Sequence, residues 1–275
     1  MDESNKNMIK VGFLVSYDYQ LLEYSLPIVY QYADEIYLAI DKERKTWSGN
    51  SFQLPDTFYK WIHRVDTENK IHIYEDSFYL SALSQMSLET RMRNMLAKYM
   101  GYSGWHIQID VDEYFLNFEK FVSYLKSLDY GSPVNIYSKW VTIFKQDEDG
   151  IFYINDNEKF PVATNTPYYI RARYSVLNGS DLIFDGKVLH QSWGRSKDDL
   201  ILKLKNWGHT NDMDWVSYLA FWESVGKDNY KEVKNFHPLY PPAWSELKYI
   251  NANGIYSLIK KMRGTINIES ICLEY

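Results

Sequence analysis

Apolar and polar positions along the chain fall into two rhythms. In roughly the first 130 residues, short apolar runs alternate with stretches at helical spacing. Residues 11–17 and 36–40 are runs of the kind that suits strands buried on both faces, and residues 70–74 are a third candidate. Between the first two runs, Leu22, Leu26, Val29, Tyr30 and Ala33 recur at helical spacing. Pro27 interrupts that pattern and predicts either a kink or a helix that starts near Ser25. Residues 42–64 read as loop with at most one short helix. The spacing predicts the clearest helix over residues 87–100, with Leu88, Met92, Met95, Leu96, Tyr99 and Met100 on one face. Ser87 is its expected N-cap, and Gly101 and Gly104 end it. Residues 105–111 follow as a strand, and Phe118, Phe121, Val122, Leu125 and Leu128 mark the next helix.

The second half changes character. Residues 134–145, 168–174 and 187–190 read as strands rich in Tyr, Ile and Val. A helix is predicted over residues 196–207, with Ser196 and Asp199 as a capping box. Residues 211–225 and 256–263 are predicted helical. Strand-helix-strand repetition implies an α/β fold with a mostly parallel, Rossmann-like sheet and a mixed C-terminal half. No linker or repeat separates the two parts. Residues 8–130 and 131–275 are therefore expected to be two halves of one domain, the first binding a donor and the second an acceptor. Ligands of such sheets sit at the carboxyl ends of the strands, which points to Tyr17, Asp41 and the segment from Asp110 to Asp112.

Composition narrows the picture. With 275 residues and 45% hydrophobic content the chain can bury a full core. The net charge of −6 is scattered, and no basic stripe suggests nucleic acid as a partner. Cys272 is the sole cysteine, so no disulfide forms within the chain and a reducing compartment is expected. The N-terminus lacks the apolar core of a signal peptide, and no run approaches the roughly 18 apolar residues of a transmembrane helix. A cytoplasmic location is the expectation. The 25 Tyr and 9 Trp suit sugar faces and hydroxyls, and equally suit an ordinary aromatic core. The basic, partly apolar stretch 256–263 reads as a packed terminal helix or as a peripheral membrane contact.

The sharpest chemistry lies in residues 105–113. Trp105, Ile107, Ile109 and Val111 point one way; His106, Gln108, Asp110 and Asp112 point the other. The two aspartates then share a face at a strand end, roughly 7 Å apart at Cα. From there both side chains can converge on one divalent cation, with oxygen–metal distances of about 2.1 Å. Hard oxygen ligands suit Mn²⁺ or Mg²⁺, which would take up charge on a departing diphosphate. The bland reading is a solvated strand end capping the next helix.

At these residues the chain resembles the GT-A glycosyltransferases, in particular the bacterial family-2-like group. The likeness rests on Arg93-Asn94, Ala97, Gly101 and the strand Ile107-Gln-Ile-Asp-Val-Asp-Glu113, and with residues 11–17 and Asp41 it covers about residues 10–130. The resemblance implies a nucleotide-sugar donor, a divalent metal, and transfer to a glycan or lipid-linked acceptor. It implies that Tyr17 lies near the donor base and that Asp41 contacts base or ribose. Arg93 and Asn94 would face the nucleotide, Asp110 the ribose and metal, and Asp112 would ligate the metal directly. A further ligand often comes from a C-terminal histidine; His190, ending an apolar strand, is the first candidate and His209 the second. Arg195 and Lys203 are candidates for the diphosphate. The chain departs from the pattern in lacking an evident Glu-Asp base pair and the Gln-x-x-Arg-Trp motif of processive synthases, so non-processive transfer is expected. Asp212 or Asp214 could supply a catalytic base, or simply cap a helix. Two other readings are a nucleotidyltransferase acting on sugar nucleotides, which should carry a Gly-rich basic loop after the first strand, and a carbohydrate-binding protein without catalysis.

Overall fold

The computed structural model of the chain describes residues 6–175, 179–208 and 212–263. Four parallel strands form its centre: β1 (Ile9–Val15), β2 (Glu35–Asp41), β3 (Ile71–Asp76) and β4 (Trp105–Asp110), in spatial order β3-β2-β1-β4. Helices α1 (Leu22–Tyr30), α2 (Asp56–Val65) and α3 (Gln85–Met100) make the connections; α1 and α3 follow the predicted stripes, whereas α2 is a ten-residue helix in a stretch expected to be mostly loop.

Alternation along the strands decides what each face buries. Ile9, Val11, Phe13 and Val15 of β1 join Trp105, Ile107 and Ile109 of β4 against Leu22, Leu26 and Val29 of α1 and Phe58 and Ile62 of α2. Leu14, Tyr37 and Ala39 face Met92, Leu96 and Met100 of α3 on the other side. Gly12 permits this approach, because a Cβ there would meet Leu96 Cδ2 at 2.8 Å. Gly101, at φ +72°, ends α3. Lys10 Nζ donates to the Met100 and Gly101 carbonyls at 2.6 and 3.1 Å, a cation where the helix dipole favours one.

Two local expectations change. The N-cap of α3 is Ser84, which accepts the Ser87 N–H, so the helix starts earlier than the apolar stripe shows. Pro27 neither starts nor ends α1 but lies within it. A proline cannot donate to the carbonyl four residues back, here that of Glu23. The Tyr256 hydroxyl donates to that carbonyl at 3.1 Å.

Beyond β4 the sheet becomes mixed. After β5 (Glu113–Phe115) and α4 (Phe118–Ser127), the long β6 (Val134–Gln146) pairs antiparallel with β7 (Ile151–Ile154) and β8 (Lys159–Thr164). Strand β8 joins β4, so both halves share one sheet. The predicted strand at residues 168–174 is broken. It comprises β9 (Tyr169–Arg171) and β10 (Tyr174–Ser175), separated by a turn at Ala172, whose φ is 46°. The predicted strand at 187–190 is the end of a longer β11 (Ser180–His190), parallel to β6 and antiparallel to β5. Helices α5 (Lys197–Asn206) and α6 (Trp215–Ser224), strand β12 (Lys248–Ile250) and helix α7 (Gly254–Met262) follow.

Ile255, Leu258 and Ile259 of α7 are buried with Val141, Ile143 and Leu189. The apolar face of that stretch is thus core, and the membrane contact considered for it has no free apolar face among these residues. Among the described residues no helix is long and apolar enough to cross a membrane.

Candidate active site

A cleft of ≈ 800 Å³ opens at the carboxyl ends of β1, β2 and β4. Tyr17 and Asp18 line it just past β1, Asp41 ends β2, and Asp110 and Asp112 follow from β4. From the second half come Arg173 in the β9–β10 turn, His190 at the end of β11, and Lys203 on α5. The α/β connectivity therefore gathers polar side chains where the sheet leaves its strand ends open.

Strand register brings His190 into place. Antiparallel pairing sets His190 opposite Glu113, and the Gln191 N–H donates to the Asp112 carbonyl at 2.8 Å. His190 Nε2 then stands 3.7 Å from Asp112 Oδ2. The same oxygen accepts from Arg195 Nη2 at 2.6 Å and from Lys203 Nζ at 3.0 Å. Arg195 Nη2 also reaches Asp18 Oδ2 at 3.0 Å. Burial works against the Asp112 carboxylate, but Lys203, His190 and Arg195 more than offset it and hold its pKa well below the usual range. Burial lowers His190 to about 4, so the imidazole is neutral at neutral pH.

Asp110 is held differently. Oδ1 accepts from Arg93 Nη2 at 2.7 Å and Oδ2 from Arg173 Nη2 at 3.1 Å. Arg173 also makes two bonds of 2.7 Å to Glu113, whose Oε2 takes the Asp110 N–H. Burial raises Glu113 above its ordinary value even with Arg173 beside it. For Asp110 burial acts upward too, but Arg93 and Arg173 win and its pKa falls.

Several expected ligand contacts prove to be internal. Arg93 is wholly buried behind Asp110, bonded to Glu89 and Asp110, and does not line the cleft. Asn94 exchanges two hydrogen bonds with the Tyr169 backbone, pinning β9 to α3, and does not face a nucleotide. The Asp41 carboxylate borders the cleft but accepts four backbone N–H groups, from Glu43, Lys45, Phe78 and Tyr79. It ties the loops after β2 and β3 together, and its oxygens are not presented to base or ribose. Asp212 is exposed and is not among the residues lining the cleft, so the expected base is not at the site. Asp214 caps α6, accepting the Ser217 N–H. His209 lies outside the described residues, as does Cys272.

Three cleft residues escaped the sequence reading. Asp18 adjoins Tyr17, and the strand-end rule that selected Tyr17 would have reached it. Arg173 looked like one residue of a continuous strand; the turn at Ala172 is what aims it inward. Glu158 sits just before β8, a strand that Pro161 keeps from standing out.

The donor set can be tested against a divalent ion. Among the described residues no three His, Cys, Asp or Glu side chains gather closely enough to hold an ion alone. Asp110 has both oxygens on arginines, which is a correction to its expected role as a ligand. Asp112 and a neutral His190 remain as a hard oxygen and an imidazole on one side of the cleft. Mg²⁺-type ions commonly take one or two protein ligands and complete their shell with phosphate and water, so this pair fits an ion that arrives with a diphosphate. The chain matches no protein-family model and no curated protein.

Proposed function

We propose that the chain is a metal-dependent glycosyltransferase of GT-A type, which moves a sugar from a nucleotide donor to a glycan or lipid-linked acceptor. The observation that carries the reading is the convergence of Asp112, His190 and Lys203 at the carboxyl edge of a parallel sheet, with Arg195 bonded to Asp112, in a cleft large enough for a sugar nucleotide. The strand order β3-β2-β1-β4, extended by β8 and β6, supports a Rossmann-like GT-A core.

In this reading Asp112 and His190 would hold Mn²⁺ or Mg²⁺. The metal would neutralise charge developing on the leaving diphosphate. Arg195 and Lys203 are buried cations at the same point and offer donors to phosphate oxygens. Arg93 from behind and Arg173 from the cleft side fix Asp110, so the cleft floor is organised before substrate enters. Tyr17 borders the cleft with its phenol kept protonated by burial and by Asp18, able to donate toward the nucleotide. The polar cleft floor and the aromatic residues Trp140, Phe160 and Trp244 that line the cleft beside it suit a diphosphate and a sugar face respectively.

One observation favours a second version. Asp112 Oδ2 already carries two cations, so Arg195 and Lys203 could bear the diphosphate without a metal. Hydrolysis of a panel of sugar nucleotides separates the two. The wild type is expected to cleave at least one donor, with loss in EDTA and recovery in Mn²⁺. Asp112→Asn should lower that rate by about 100-fold or more, since loss of even an outer-shell partner of a metal costs 10–100-fold. Turnover indifferent to chelation selects the metal-free version; no turnover with any donor contradicts both.

A further inference from the structure

Six carboxylates line the cleft: Asp18, Asp41, Glu89, Asp110, Asp112 and Glu158. Five are committed to partners. Asp18, Asp110 and Asp112 pair with arginine or lysine, Glu89 accepts from Arg93, and Asp41 accepts four backbone N–H groups. Glu158 differs. Among the described residues its one side-chain hydrogen bond comes from a neutral donor, Trp244 Nε1, 3.2 Å from Oε2, and no cation is paired with it.

The surroundings of Glu158 are aromatic. Its carbonyl accepts the Trp140 N–H at 3.0 Å. The Trp140 ring stacks on Phe160 with centroids 4.3 Å apart, and lies 4.8 Å from the His190 ring. His237 packs edge-on against Trp244 at 4.6 Å. This aromatic recess is therefore one ring removed from His190 and opens into the cleft that holds Asp112.

We propose that the recess receives the sugar acceptor and that Glu158 is the general base for its hydroxyl. The inference rests on the glycosyl-transfer reading above. The acceptor oxygen forms a bond to the donor's anomeric carbon as the bond from that carbon to the diphosphate oxygen breaks. The electron pair of the broken bond leaves with the diphosphate, and the hydroxyl proton passes to a Glu158 carboxylate oxygen. One direct displacement of this kind inverts the anomeric configuration. Trp244 holds Oε2 and leaves Oε1 for the acceptor, while aromatic faces take the C–H faces of the sugar. Burial raises the Glu158 pKa, only partly offset by the Trp244 N–H, which makes it a stronger base than Asp110 and Asp112, whose values are held down by their cations.

The test uses the donor that wild type hydrolyses fastest and the p-nitrophenyl glycoside it glycosylates fastest. Glu158→Gln keeps an oxygen for Trp244 and should bind UDP or GDP with Mn²⁺ as wild type does. Its kcat for transfer should fall by about 10²–10⁴-fold, the usual share of general-base catalysis. The acid limb of the wild-type kcat–pH profile should vanish, and Glu158→Asp should restore part of the rate. Proton NMR of the product should show the anomer opposite to the donor. Transfer by Glu158→Gln within a few-fold of wild type, a retained anomer, or loss of nucleotide binding in the variant overturns the inference while the reading of the cleft stands. A wild type that binds neither nucleotide with Mn²⁺ overturns the reading, and this inference with it.

Discussion

The two halves of the chain bring opposite goods to the same cleft. The first half supplies Asp18, Asp41, Glu89, Asp110 and Asp112, with Arg93 bonded to Glu89 and Asp110 from behind. The second half supplies Arg173, Lys203, His190 and the aromatic wall, with Arg195 bonded to Asp18 and Asp112. The floor of the cleft is an interlock of charges that neither half completes alone. The wall is different: among the described residues the Glu158 carboxylate is bonded by Trp244 and paired with no cation, and Arg173 reaches the wall only over the faces of Phe160 and Trp140. Substitutions at the floor should therefore disturb folding as well as chemistry. Substitutions at Glu158 should disturb chemistry alone.

The largest stability effect expected is at Arg173, the sole side-chain partner of the buried Glu113 carboxylate among the described residues. Arg173→Met strands that charge and should cost about 3–5 kcal/mol in urea unfolding, the usual penalty for breaking a buried pair. A loss within error of zero would mean that the halves do not depend on this contact.

Acidification comes next. Burial lowers His106 to about 3, reinforced by Lys10 and partly offset by the Gly101 carbonyl that its Nε2 meets at 2.9 Å, and burial lowers His190 to about 4. Both histidines have folded values below the unfolded value of 6.5. Between about pH 6.5 and 4 the unfolded chain binds more protons, so stability should fall as pH falls through that window. His106→Gln should flatten the slope measured by urea titration across it; an unchanged slope would assign it elsewhere.

Smaller still is Asp214→Ala, which removes the N-cap of α6 and should lower the melting temperature slightly without touching nucleotide binding. Smallest is Glu158→Gln. With no cation to strand, it should leave the melting temperature unchanged or slightly raised. A large loss of stability there would erase the contrast between floor and wall.

What could be read in advance follows the same division. Parallel strands buried on both faces appear as apolar runs, and their helices as periodic stripes, so β1 to β4 and α3 were legible in existence and order, with ends displaced by up to three residues. Asp110 was legible because alternation along β4 fixed its face; the strand ends there, so Asp112 reaches the cleft from a turn and not by alternation. The second half hides more. Strand β7 has only four residues, β8 carries Pro161 within it, and the turn at Ala172 that aims Arg173 leaves no apolar signature. Burial of Arg93 was illegible because a charged residue on a helix normally faces water; only the pairing with Asp110 and Glu89 permits it. His190 was named from its strand-end position, but its closeness to Asp112 comes from the β5–β11 register, a long-range fact.

The central claim is that Asp112 and its neighbours seat a metal–nucleoside diphosphate. Isothermal titration of UDP and GDP, each with and without Mn²⁺, into wild type and Asp112→Asn tests it most directly. The account predicts saturable binding of at least one nucleotide by wild type, tightened by Mn²⁺, with that tightening lost in Asp112→Asn. Equal affinity with and without the metal in both proteins, or no binding of either nucleotide to wild type, would contradict it.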